Sequence, residues 1–163
     1  MQAAEHYVRT GTYLQIPGPL PQELLLQKAC FVSIIEQPGH HVRGAFGMPL
    51  PRFSSLAQEI IANTVEAIVR QNIRMRPVDA SAYQYIVGVL GPLERITSRE
   101  HLVPMQYGLY VRSDKNKTAL LLPRRPGIDT ADDQIATAIR EARIDPKNET
   151  ITMYRFSVVF YGP

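Results

Sequence analysis

The clearest periodic pattern in the chain lies between residues 53 and 70. Apolar side chains recur there at helical spacing and form one broad stripe, made of Leu56, Ile60, Ile61, Thr64, Val65 and Ile68. Ser55, followed three residues later by Gln58, has the pattern of a capping box. Phe53 is expected to pack over the helix start, and Arg70 favours the negative end of the helix dipole. The pattern therefore predicts an amphipathic helix over 53–70.

Shorter runs of β-branched, aromatic and aliphatic residues predict strands, separated by Gly, Pro and Asn clusters. The predicted strands are 29–35, 42–46, 83–90, 107–112 and 118–122, followed by one long last strand over 151–161. Two further helices are predicted at 3–9 and 131–143, and three prolines within 15–21 predict an extended arm. Because hairpins prevail over regular alternation of strand and helix, the fold class is α+β with a largely antiparallel sheet.

Length and composition limit the class of protein. The chain has 163 residues, of which 45% are hydrophobic and 20% charged, as in one ordinary globular domain. We expect a single domain over 1–163, with a helix and a proline-rich arm in 1–28 and a core over 29–161. No apolar run approaches the ~20 residues that span a bilayer, and the start of the sequence does not resemble a secretory signal. These features favour a cytoplasmic protein without a membrane segment.

The positive charge is concentrated in two stretches. Residues 40–76 and 100–125 each hold five basic residues against two acidic ones, whereas the formal net charge of the whole chain is +3. Such stretches are typical either of a solvated surface with ion pairs or of a surface that binds an anionic ligand or nucleic acid. Because both stretches are short, we expect nucleic-acid binding to be weak at most.

Few side chains present reactive groups in a suitable setting. Cys30 lies inside an apolar strand, so we expect a buried, inert thiol with a raised pKa. His40 and His41 share a turn without a neighbouring carboxylate or thiol, so we expect an exposed polar turn, no metal site and no cofactor. Four strand tyrosines favour core packing over a stacking platform for bases: Tyr83, Tyr85, Tyr107 and Tyr110.

Six short motifs, taken in order, resemble the AMMECR domain family over about residues 29–160. They are residues 31–34, 42–47, 72–77, 87–92, the hairpin of 107–111 with 120–123, and 154–156. The resemblance implies a two-lobed α+β fold in which the larger lobe contains a sheet and helices.

The chain departs from the family pattern at the positions that would carry chemistry. The family's cysteine, its natural candidate nucleophile, corresponds to Ala45, and the motif aspartate corresponds to Asn72. The family's phenylalanine corresponds to Met75, and Tyr107 stands where the family has histidine or aspartate. A methyl group cannot attack a substrate, and an amide cannot act as a base at neutral pH.

The resemblance therefore implies a ligand or partner cleft with no catalytic residue. Its candidate residues are Arg43, Gly44, Ala45, Gly47, Asn72, Arg74 and Tyr107. The leading hypothesis is a non-catalytic binding or accessory module. Microbial family members often occur beside Memo-like and radical SAM proteins, which suggests a partner of one of those kinds. Two alternatives stay open: an enzyme acting on a small or nucleotide-like substrate, and a weak RNA-binding protein.

Overall fold

The chain divides into two compact units in the computed structural model, which describes residues 2–162 except 17, 38, 40, 77, 78, 80 and 81. The first unit contains residues 1–89 and 159–163, and the second contains residues 90–158. The helices are α1 (Gln2–Thr10), α2 (Gln22–Leu25), α3 (Leu56–Arg70) and α4 (Ala131–Ala142). The strands are β1 (Cys30–Glu36), β2 (His41–Gly47), β3 (Tyr83–Leu90), β4 (Glu94–Ile96), β5 (Gly108–Ser113), β6 (Thr118–Leu121), β7 (Ile151–Phe156) and β8 (Val158–Tyr161).

The first unit is built on a four-stranded sheet with the order β2-β1-β3-β8. Strand β1 is antiparallel to both β2 and β3. Alternate residues of β1 are buried, namely Cys30, Val32 and Ile34, because they face the helical side of the sheet where α3 packs on β1 and β2. Strand β1 and helix α3, both predicted from the sequence, therefore lie in the two layers of this unit.

Helix α3 begins three residues later than the sequence predicts. Ser55 adopts extended backbone and serves as the N-cap, accepting a hydrogen bond from the backbone N–H of Gln58. Phe53 lies before the helix and is 38% exposed, so it packs over the helix start less than expected. The buried face of α3 includes Glu59 and Asn63, two polar residues outside the predicted apolar stripe.

The second unit contains a four-stranded sheet with the order β4-β7-β5-β6, whose established pairings are antiparallel. Helix α4 packs on β5 and β6, and its Thr130–Asp133 capping box has both reciprocal hydrogen bonds. Leu109, Val111 and Leu121 are almost fully buried in the core beneath it. The α+β prediction with largely antiparallel strands is confirmed.

The predicted long strand over 151–161 is wrong, because the chain breaks at Ser157. Strand β7 pairs with β5 and β4 in the second sheet, whereas β8 lies beside β3 in the first. Ser157 leaves both ladders and accepts a backbone hydrogen bond from Gly91 at 2.9 Å. The alternation of apolar residues continues across the break, so local sequence does not reveal it. The short elements α2 and β4 were not predicted either, because segments of four and three residues are too short to show a hydrophobic period.

Glu149 links the chain beyond α4 to the β5–β6 hairpin. Its carboxylate accepts a hydrogen bond from the ammonium group of Lys117 at 2.5 Å and another from the backbone N–H of Asp145 at 3.1 Å. The hydrogen bond from Lys117 is the largest influence that lowers the pKa of Glu149, from 4.5 to about 2. The carboxylate therefore contributes stability above its ordinary pKa, and this contribution is lost as the pH falls towards 2.

The lowered pKa of Glu149 predicts how the stability of the Glu149→Gln variant depends on pH. The variant should be less stable than wild type near neutral pH, and the difference should shrink as the pH falls from about 4.5 to about 2. Urea unfolding followed by circular dichroism at several pH values measures the difference. A stability difference that stays constant across this range would contradict the assignment.

Candidate functional site

A β-bulge in β2 places Arg43 at the edge of the first sheet. Ile34 pairs with Gly44 while Ile35 pairs with Val42, so Arg43 is the extra residue between them. Arg43 is exposed and forms an ion pair with Glu36, with 3.6 Å between Nη1 and Oε2. Because bulges redirect side chains, this one separates Arg43 from the regular alternation of the strand.

Gly44 allows β2 to approach α3 closely. A Cβ atom at this position would lie 2.7 Å from the carbonyl oxygen of Ala67 and 2.6 Å from Cδ1 of Ile73. Only a residue without a Cβ allows this close approach. The contact with Ile73 also brings the β2 segment around Arg43 beside the segment containing Asn72 and Arg74.

Ala45 lies on the face of the sheet opposite α3. Its neighbours Gly44 and Phe46 face the helical layer, and Ala45 is half-buried and pairs with Ser33 of β1. Gly47 has a packing role as well, since a Cβ there would collide with Phe31 and with the β1 backbone. Accessibility of residue 45 in a cleft stays a prediction.

Asn72 has a structural role at the end of α3. Its backbone is left-handed, with φ 49°, and the N–H of Ile73 donates to the carbonyl of Ile68 at 2.9 Å. This is the arrangement of a Schellman cap, where Asn and Gly are favoured. Arg74 follows two residues later, is exposed, and has no side-chain hydrogen bond or ion pair to any other described residue.

Tyr107 belongs to the second unit, unlike the other six candidate residues. Its ring is half-buried against the core of that unit, with the guanidinium carbon of Arg155 4.4 Å from the ring centroid. Met75, at the family's phenylalanine position, is 8% exposed and packs in the core of the first unit.

The structure contains a polar network that the sequence analysis missed. Glu59 is fully buried and accepts hydrogen bonds from the backbone N–H groups of Arg52 and Phe53 at 2.8 and 3.1 Å. The Arg52 side chain donates to Glu59 at 3.3 Å and to Asn63 at 2.5 Å. Asn63 in turn donates to the carbonyl and the thiol sulfur of Cys30 at 2.8 and 3.3 Å. The network fixes the loop before α3 to both the helix and β1.

The spacing of Glu59 and Asn63 is the only sequence signal of this network. They are four residues apart and therefore share one helical face. The same face carries Leu56 and Ala67, which are buried, so two polar residues interrupt an otherwise apolar surface.

Phe46 lies between two arginines. The guanidinium carbons of Arg70 and Arg52 are 4.7 and 5.3 Å from its ring centroid, within the range of cation–π contacts. Both arginines also pair with acidic residues of α3, Glu66 and Glu59. Their charges are thus committed to neighbouring groups of the same unit.

Ion pairs neutralise most of the basic stretch 40–76. Four of its five arginines have a carboxylate partner: Arg43 with Glu36, Arg52 with Glu59, Arg70 with Glu66 and Arg76 with Asp79. Arg74 is the exception among the described residues of that stretch. This pattern favours a surface of ion pairs over a continuous nucleic-acid footprint.

Cys30 is buried, as predicted. Its side chain is in the core, and burial is the main cause that raises its pKa to about 12, against the lowering effect of the hydrogen bond from Asn63. A thiol in this state supplies no nucleophile near neutral pH. Of the predicted histidine turn, His41 is exposed at the start of β2 and His40 lies outside the described residues.

Two features of the described residues bear on other classes of function. They contain no group of three or more His, Cys, Asp and Glu side chains arranged to hold a metal ion. None of the helices within the described ranges is long and apolar enough to cross a membrane.

Comparison with known proteins decides the family. Residues 1–161 match the AMMECR1 family over nearly the whole chain. The chain belongs to the AMMECR1 family. A protein of Thermotoga maritima is 32% identical over 165 residues, which cover 99% of this chain and 93% of that protein. A Clostridium acetobutylicum protein is 30% identical over 161 residues, which cover 96% of this chain but only 33% of that protein.

A solved structure shares the AMMECR1 fold. The crystal structure of an uncharacterized protein from Pyrococcus horikoshii superimposes with a TM-score of 0.86 at 24% identity. The match covers 98% of this chain and 85% of that chain. At this level of identity the likeness concerns the fold alone.

Restoring a thiol at position 45 tests whether the family's cysteine position is accessible. We expect Ala45→Cys to fold normally and to react readily with a bulky maleimide, because this half-buried position lies on the sheet face away from α3. Cys30 serves as the internal control and should react only after denaturation. Mass spectrometry of the labelled peptides distinguishes the two. Equal protection of both thiols would place residue 45 in the core and remove it from the site.

Proposed function

We propose that this AMMECR1 protein is a non-catalytic binding or accessory module. Two features carry the proposal: Ala45 stands where the family resemblance implies a cysteine, and the thiol of Cys30 is buried. The remaining candidates of the first unit are two glycines with packing roles, the helix-capping Asn72, and the arginines Arg43 and Arg74. Arginine stays charged at all physiological pH values, so it positions anionic groups but transfers no protons.

The proposed binding surface consists of Arg43, Asn72 and Arg74, with Gly44 shaping the backbone beneath it. Ala45 and Gly47 enter the proposal through the family pattern, since Ala45 lies on the opposite face of the sheet. Contact between Gly44 and Ile73 joins the two segments that carry the arginines. Tyr107, of the second unit, enters this proposal only through its position in the family pattern. Exposed arginines favour a partner that presents carboxylates or phosphates.

The family's association with Memo-like and radical SAM proteins suggests which partners to look for. Affinity capture from the protein's own host should recover such a protein with wild type and lose it with the double variant Arg43→Glu, Arg74→Glu. A matched control, Arg9→Glu with Arg99→Glu, reverses two exposed arginines elsewhere and should retain the partner. Recovery that is equal for both double variants would contradict the proposed surface. Substrate turnover by the purified protein would contradict its non-catalytic role.

A further inference from the structure

Two tyrosines pair on the face of the second sheet opposite α4. Tyr110 of β5 lies directly across from Tyr154 of β7, with ring centroids 5.9 Å apart and planes inclined by 32°. Leu109 and Val111, on either side of Tyr110, are fully buried under α4, so Tyr110 points to the other face. The expectation that the strand tyrosines pack in the core is therefore wrong for Tyr110.

Arginines flank this pair along the same face. Arg95 of β4 pairs with Tyr154, and Arg112 of β5 follows Tyr110 by two residues, opposite Thr152. Arg112 is close enough to Tyr110 for its charge to oppose the rise in pKa that partial burial causes in that phenol. The face thus combines aromatic rings, hydroxyl groups and cations within neighbouring cross-strand pairs.

A polar hollow of about 290 Å³ lies at the end of this face. Its lining includes Arg112, Asp114, Asn116, Thr150, Thr152 and Tyr154. The lining side chains thus include a guanidinium, a carboxylate, an amide, two threonine hydroxyls and one aromatic ring. An apolar ligand would leave these groups without hydrogen-bond partners, so the chemistry favours a polar ligand with an aromatic part.

The Arg112 guanidinium is oriented but not neutralised. One of its terminal nitrogens donates to the side-chain oxygen of Asn116 at 2.6 Å, and no described carboxylate forms an ion pair with it. Two other basic residues of the same unit, Lys117 and Arg125, are in contrast paired with Glu149 and Glu141. Arg112 therefore keeps free donors for a planar or tetrahedral anion.

We propose that this hollow binds a ribonucleotide carrying a single phosphate, either free or as one unit of single-stranded RNA. The base stacks on Tyr154, the ribose hydroxyls donate to Asp114, and the phosphate accepts hydrogen bonds from Arg112. Asp114 disfavours a polyphosphate, because additional negative charge would approach its carboxylate. The site belongs to the second unit and shares no residue with the binding surface proposed above.

Titration calorimetry with AMP, adenosine and inorganic phosphate tests the assignment on the full chain. AMP should bind more tightly than either fragment. Arg112→Ala should weaken AMP about tenfold and leave adenosine unchanged, whereas Tyr154→Leu should weaken both, since phosphate contacts and stacking are separate contributions. Arg99→Ala, an exposed arginine of the same unit, is the matched control and should bind AMP as wild type does.

Two outcomes overturn the proposal. The first is that none of AMP, GMP, CMP and UMP binds at millimolar concentration. The second is that inorganic phosphate binds as well as AMP, which would leave only a general anion site.

Titration with a tetraribonucleotide distinguishes the two sources of the ligand, a free nucleotide and single-stranded RNA. If the tetraribonucleotide binds more tightly than AMP, and this binding is lost in Arg112→Ala and in Tyr154→Leu, the ligand is RNA. If the tetraribonucleotide and AMP bind equally well, the ligand is the free nucleotide.

Discussion

Glu59→Ala is expected to lower the free energy of unfolding by about 3 kcal/mol, the largest single-residue effect that we predict for the first unit. The substitution removes the carboxylate that accepts two backbone N–H groups and the Arg52 guanidinium. Glu59 is fully buried, so these donors lose their partner in a region that water does not reach. The loop before α3 should loosen as a consequence.

Urea unfolding followed by far-ultraviolet circular dichroism measures this loss. The matched control is Glu66→Ala, in the same helix, whose partner Arg70 is mostly exposed; its cost should stay below about 0.5 kcal/mol. Glu59→Gln keeps the shape and one acceptor, so it should fall between the two and stay measurable if the alanine variant fails to fold. Equal effects of Glu59→Ala and Glu66→Ala would show that the buried network contributes no more to the free energy of unfolding than an exposed ion pair does.

Gly44→Ala is expected to cost about 1–3 kcal/mol, because the new methyl group has no room between β2 and α3. The nearest obstacle besides Ile73 is the backbone carbonyl oxygen of Ala67, 2.7 Å from the new Cβ. A backbone atom in a helix cannot rotate away, so the strand and the helix must separate.

Gly91→Ala is the matched control for this substitution. The atom nearest to its new Cβ is the hydroxyl of Ser157, which lies at the end of a side chain and can rotate. Its expected change in unfolding free energy is close to zero, and thermal unfolding of both variants measures the difference. A Gly44→Ala variant as stable as Gly91→Ala would contradict the close packing of β2 on α3.

The sequence pattern was sufficient to predict those elements in which a hydrophobic period is combined with residues that mark the start or the end of the element. Helix α4 begins after Thr130 as expected, and β3 has the predicted bounds. The break at Ser157 was not predictable in the same way, because the apolar alternation runs through it. Only pairing with residues far away in the chain decides which sheet each half joins.

The candidate site was predictable only in part for a related reason. Glycines at 44 and 47 mark close approaches, and both approaches are present in the structure. Asn72, in contrast, has a capping role that depends on where α3 ends, and the partners of Glu59 and Asn63 lie in β1 and in the preceding loop. Hydrogen bonds between distant segments leave no period in the sequence.

The proposed function requires this AMMECR1 protein to bind its partner through Arg43 and Arg74. The most direct measurement is calorimetric titration of the purified captured partner into wild type, into Arg43→Glu, Arg74→Glu and into the control Arg9→Glu, Arg99→Glu. We expect at least a tenfold loss of affinity for the first double variant and wild-type affinity for the control, because only the first reverses charge at the interface. Unchanged affinity of the Arg43, Arg74 double variant would contradict binding through these two arginines.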